Sequence, residues 1–121
     1  MMITNADMTV YHRVVMPDTR QDAYTRYPVY GVLWEEKRAV NVINSGLKGA
    51  DAVKVYVRLD RMDGVVVKNG DTIIRGICDR EITEDYRIAQ LQRDYPSAVV
   101  TSVDKKDFGS PRLQHFEIGG R

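Results

Sequence analysis

Apolar and polar residues alternate without a break through residues 53–60 of the stretch AVKVYVRLD, so that Val53, Val55, Val57 and Leu59 share one face and Lys54, Tyr56 and Arg58 the other. A period of two is that of a β-strand with one buried face and one face left to water or a partner. Runs of the same kind recur at 9–15, TVYHRVV, at 97–103 and at 112–118, where Phe116 and Ile118 alternate with His115 and Glu117 and are expected to face the core. A chain built this way must bury one side of several strands against a common interior.

The aromatic-rich stretch from Tyr24 to Ile43 has strand parity as well: Tyr30, Val32 and Trp34 fall on one side, Gly31, Leu33 and Glu35 on the other. Val40 and Val42 resume that parity beyond a charged bend at 35–38, which predicts either a continued strand with a bulge or a turn. In VVVKNGDTIIRGIC, residues 65–78, two apolar runs flank Asn69 and Gly70. Asn-Gly is a strong hairpin signal because both residues accept positive φ. The expected hairpin sets Val65 and Val67 against Ile73, Ile74 and Ile77. Only residues 83–96, TEDYRIAQLQRDYP, have helical spacing, with Thr83 as N-cap, acidic residues in the first turn, Ile88, Leu91 and Tyr95 on one stripe and Pro96 as the stop.

Six or seven short strands and one helix, joined by connections too short for repeated βαβ crossovers, predict a mainly β fold: a small antiparallel β-barrel or sandwich with one α-helix packed against it. With 121 residues the chain is read as a single domain over 9–121, preceded by a flexible tail over 1–8. The start lacks the basic and apolar blocks of a signal peptide, and no apolar run reaches the length of a membrane span.

Chemistry-bearing residues are sparse. Eighteen Lys and Arg against seventeen Asp and Glu leave a formal charge of +1 with the signs interspersed, so no basic stripe marks a phosphate-binding groove. His12 and His115 are the only histidines, both in strand-like runs, and read as hydrogen-bonded structural residues. Cys78, the single cysteine, reads as a small buried residue. Asp107, Phe108 and Gly109 spell the magnesium-binding triplet of protein kinases, but no glycine-rich loop or His-Arg-Asp loop accompanies it; Phe108 is expected to anchor a loop and Gly109 to permit its turn. The carboxylate pairs in WEEKR and ITEDY have no spacing that suggests acid–base work. The chain is accordingly read as a non-enzyme without cofactor or metal. Tyr24, Arg26, Tyr27 and Arg38 are instead candidate subunit-interface residues, since Tyr and Arg concentrate at the energetic centres of interfaces. Tyr30 and Trp34 fit a core or an interface equally.

TVYHRVV, YPVYGVLWEEKRAVNV, DAVKVYV, NGDTIIRG and the closing VTSVDKKDFGSPRLQHFEIGG, in that order, cover most of residues 9–120. In order and texture they resemble the small head-closure, or stopper, proteins of the head-to-tail connection in long-tailed phages. The resemblance implies a β-barrel assembled as a homo-oligomeric ring, a hexamer foremost and a dodecamer as alternative. Such a ring sits in the virion neck between the portal or adaptor ring and the tail terminator or tail tube, around packaged double-stranded DNA that is not read by sequence, and is assembled in the bacterial cytoplasm. The loops at 44–51, 60–64 and 104–111 then become candidates to face the channel or a docking partner, with Lys48, Asp51, Asp60, Asp63, Lys105 and Lys106 as their charged residues. A tail terminator or other minor virion component is the nearest alternative. From another class, a small nucleic-acid-binding barrel would use Tyr11, Tyr56 and Phe116 as stacking platforms.

Overall fold

The computed structural model describes residues 4–15, 22–36, 53–110 and 113–121. Its strands are β1 (Ala6–Val15), β2 (Asp22–Glu36), β3 (Val53–Arg58), β4 (Thr72–Arg75), β5 (Ser97–Lys106) and β6 (His115–Gly120), with a 3-10 turn at Leu59–Met62 and one helix, α1 (Ile88–Asp94). They close a barrel in the order β1-β2-β3-β6-β5-β4, every pair antiparallel. The expected class, a mainly β barrel with one helix, is the one found.

Two strands make closure possible by changing partners along their length. β2 pairs with β1 as far as Val32 and with β3 from Leu33 onward. β5 pairs with β4 over Ser97 to Val99 and with β6 from Val100. Each change is marked by an irregularity, at Ala6/Met8 opposite Val29 to Val32 and at Val100/Ser102. In the first, two residues of β2, Tyr30 and Gly31, oppose the single Asp7 of β1, and Gly31 holds a φ of +78°, which a residue without Cβ adopts freely.

The interior is apolar throughout. Met8, Val10, Val29, Val32, Trp34, Val55, Val57, Met62, Ile73, Ala98, Val100 and Ile118 form one buried cluster, with Val65, Val67 and Phe116 packed at its margin. A second cluster lies on the outside of the wall: Tyr11, Ile74, Cys78 and Leu91, flanked by Tyr24, Ile82, Tyr86, Ile88 and Tyr95. β4 is therefore covered on both sides, Ile73 inward and Ile74 under the layer formed by residues 77–95.

Several expectations are corrected. The supposed tail enters the fold: Met8 is fully buried, and Asn5 bonds through its side chain to the backbone of Trp34 at both N–H and C=O. Tyr30 is 56% exposed, because the bulge at Gly31 shifts parity and turns Val29 inward in its place, beside Val32 and Trp34. Residues 65–78 are not a hairpin; β4 pairs with β1 and β5, while Val65 and Val67 pack on the core without a strand ladder, and Ile77 is exposed. The helix begins at Ile88, not near Thr83: the Thr83 hydroxyl accepts from the N–H groups of Asp85 and Tyr86 in a local turn, and the Gln90 side chain accepts from Arg87 N–H at the true start. β5 runs on to Lys106, so the loop expected at 104–111 starts later. The expected continuation through Val40 and Val42 and the loop at 44–51 lie outside the described residues.

Candidate functional site

The polar centre of the molecule is Asp71, buried at the end of β4 with 2% of its surface exposed. Its carboxylate accepts from Lys68 N–H at 2.7 Å and Arg13 N–H at 3.0 Å and meets His12 Nδ1 at 2.8 Å. The backbone around it is stitched to β5 by Gly70 N–H to Val100 O at 2.8 Å and Val100 N–H to Asp71 O at 2.7 Å. Asn69 and Gly70 thus turn the chain so that one carboxylate can satisfy donors from β1 and from its own turn. A buried carboxylate is tolerable only when paired in this way. His12 is the hydrogen-bonded structural histidine that the sequence suggests.

The outer layer is held by equally specific bonds. The Thr9 hydroxyl donates to Gly76 O and accepts from Cys78 N–H, each at 2.8 Å. Tyr11 donates its phenol proton to Arg80 O at 2.7 Å, and burial pushes that phenol far above its ordinary range. Arg80 lies over the Tyr86 ring at 4.5 Å, and the Tyr86 hydroxyl donates to Asp94 at 2.8 Å. Partial burial and that bond raise the Tyr86 phenol as well.

The proposed interface residues are engaged inside the chain. Tyr24 packs against the outer cluster and Tyr27 against the barrel interior. Arg26 donates to Cys78 O at 3.0 Å and pairs with Glu81 at 3.2 Å, which fastens the outer layer to β2. Arg38, Lys48 and Asp51 lie outside the described residues. Asp60 is exposed in the 3-10 turn, 3.1 Å from Arg58, and Asp63 is exposed beside it. Lys105 and Lys106 end β5 opposite Phe116 and His115, which pair on their other side with Val57 and Arg58 of β3, so the two lysines, where the loop of the β5–β6 hairpin begins, and the 60–63 turn lie at the same end of the barrel. Of the three stacking candidates, Tyr11 is fully buried and Phe116 packs on the core, while Tyr56 stays on the outer face, half-buried and tilted against His115 at 5.9 Å.

What sequence reasoning missed is the tip of that hairpin. Phe108, expected to anchor its loop, is 73% exposed, and Leu113 across the tip is 64% exposed. Gln114 braces the loop by donating to Gly109 O at 3.2 Å, and Gly109 holds a φ of +85°. The signal available was a Phe between charged and small residues, DKKDFGS, with no apolar neighbour at strand or helix spacing to pack beside. A cleft lies at the opposite barrel end, bordered by Trp34, Ile74, Tyr95 and Pro96, with Glu36 and Arg75 at its rim. Trp34 Nε1 donates to Glu36 at 3.0 Å there. Among the described residues no three His, Cys, Asp or Glu side chains come together as a metal site, and no described helix is long and apolar enough to cross a membrane.

A family model matches residues 3–121, nearly the whole chain. The chain belongs to DUF6751. That family is one of unknown function. No curated protein and no solved structure matches the chain. The DUF6751 match spans every strand of the barrel, α1 and the exposed hairpin tip, so barrel and tip belong to one family unit.

Proposed function

We propose that this DUF6751 protein is a structural subunit of a virion, acting in the neck of a long-tailed phage as a ring of identical chains that closes the filled head and receives the tail. The observation that carries the reading is the pairing of a stiff barrel with an apolar hairpin tip presented to solvent. A large aromatic side chain on a braced turn is a ready anchor for a protein partner, because its burial on contact gains area at little cost in ordering. Lys105 and Lys106, where the same hairpin loop begins, add charge at the rim of such a contact, where it steers encounter more than it strengthens binding. The order of sequence stretches that resembles head-closure proteins supports the reading further. In this account the chemistry is mechanical: the barrel holds position, and the tip engages the adjoining ring.

The test is deletion of the gene from the phage that carries it, followed by electron microscopy of the lysate. Emptied heads beside complete, unattached tails are the expected result. Tailed, infectious particles would overturn the proposal. Complementation with Phe108→Ser together with Leu113→Ser then asks for the tip: the expected outcome is a stable, folded protein that fails to restore joining. If complete heads remain closed but tails carry unfinished or overlong ends, the subunit acts as a tail terminator instead.

A further inference from the structure

Asn69 and Gly70 are both exposed, in a turn whose only described backbone ties to another strand are at Gly70 N–H and, through Asp71 O, at Val100 N–H. An asparagine followed by glycine has a particular chemistry. The glycine nitrogen, unhindered by a side chain, can attack the asparagine side-chain amide. We propose that Asn69 is a self-modification site, held unreactive in the closed barrel by the bond from Gly70 N–H to Val100 O and converted to aspartate and isoaspartate whenever that corner opens.

The step balances with water alone. Gly70 N gives up its proton to solvent and attacks Asn69 Cγ; the N–Cγ bond forms, the Cγ–Nδ2 bond breaks, and ammonia leaves with a proton taken back from solvent. Water then opens the cyclic imide at one of its two carbonyls. Opening at one yields aspartate; opening at the other yields isoaspartate, whose backbone runs through the former side chain. The net change is one water in and one ammonia out.

In the folded chain the attacking nitrogen is the atom whose hydrogen points at Val100 O, 2.8 Å away. Proton loss there means giving up that bond, and attack means turning the nitrogen from β5 toward its own preceding side chain. Reaction therefore requires local opening, and its rate is the free-chain rate multiplied by the open fraction. The consequence reaches past residue 69. Asp71 is bound across this turn, its carboxylate accepting from Lys68 N–H at 2.7 Å and its own N–H donating to Lys68 O at 3.1 Å. Isoaspartate lengthens the backbone between those partners, so the turn cannot close again in register, and the buried Asp71 carboxylate loses a donor it needs. Modification is one-way: each opening that ends in reaction removes a clamp that had opposed opening.

Peptide mapping by mass spectrometry of the whole protein, incubated at neutral pH, measures the gain of about one mass unit at residue 69 over time. The synthetic peptide 65–75 and the chain in guanidinium chloride are expected to modify at one common rate, and the folded protein at least about tenfold more slowly. Asp71→Ala, lacking the clamp, is expected between the two. Should that variant fail to fold, wild type in denaturant below its unfolding midpoint replaces it, with a rate that climbs as denaturant is added. A folded protein that modifies as fast as the peptide would overturn the protection by Val100; an unfolded chain that keeps Asn69 intact would overturn the site itself.

Discussion

The two outer sides of the barrel are built from strands of the same kind and end up with different fates. On the β1–β4 side, outward residues Tyr11 and Ile74 are covered by Leu91, Cys78 and the aromatic residues around them. On the β3–β6–β5 side, the outward residues include Lys54, Tyr56, Arg58, Asp104, His115 and Glu117, and no apolar cluster is built over them among the described residues. His115 instead lies against Tyr56 and reaches Glu117 at 3.3 Å. The contrast teaches that α1 is placed by what the wall offers it. Its seven residues are too few to be stable alone, so its position is set by the apolar stripe that it covers.

The sharpest test of that contrast removes apolar volume on each layer. Ile73→Ala, inside the barrel, and Leu91→Ala, in the outer layer, are each expected to cost about 2–5 kcal/mol in denaturant unfolding, since both side chains are fully buried. A Leu91 variant that lost far less would make the outer layer an ornament. Asp71→Ala comes next, at about 1–3 kcal/mol, because it strands buried donors from two segments. Smaller again is Tyr11→Phe, about 1 kcal/mol from the lost bond to Arg80 O. The same variant carries a pH signature. The folded Tyr11 phenol is raised above its ordinary value of 10.0, so the folded chain keeps a proton that the unfolded chain releases. Stability is complete below about pH 10 and falls above it, and Tyr11→Phe should flatten part of that fall in a series of melting curves. Last, Lys54→Ala on the bare side should change stability by less than about 0.5 kcal/mol; a larger loss would mean that this side is covered.

Where the sequence could be read, local geometry and burial agreed. Val53, Val55 and Val57 face inward because nothing interrupts their alternation, and Ile118 and Phe116 follow the same rule at β6. Alternation failed at Tyr30, where a single glycine inserted a bulge and reversed the parity of what precedes it. The Asn-Gly turn was legible as a turn, but its strand was taken by partners distant in sequence, β1 and β5, which a local pattern does not encode. Thr83 capped a turn of its own instead of the helix, for the same local reason that made it a plausible cap. The hairpin tip was misread because an isolated aromatic side chain is ordinarily buried, and only the finished barrel shows Phe108 left exposed.

β2 and β5 each belong to both halves of the wall, one passing its pairing from β1 to β3 at Gly31 and the other from β4 to β6 at Val100. Neither half therefore has a full set of strands that it can keep when the other is lost. The barrel should melt as one cooperative unit, with the amides of Tyr27 and Leu33, on either side of the Gly31 corner, exchanging with solvent at a common free energy. A chain with that property has no half-folded resting state: its barrel is whole, or it is absent.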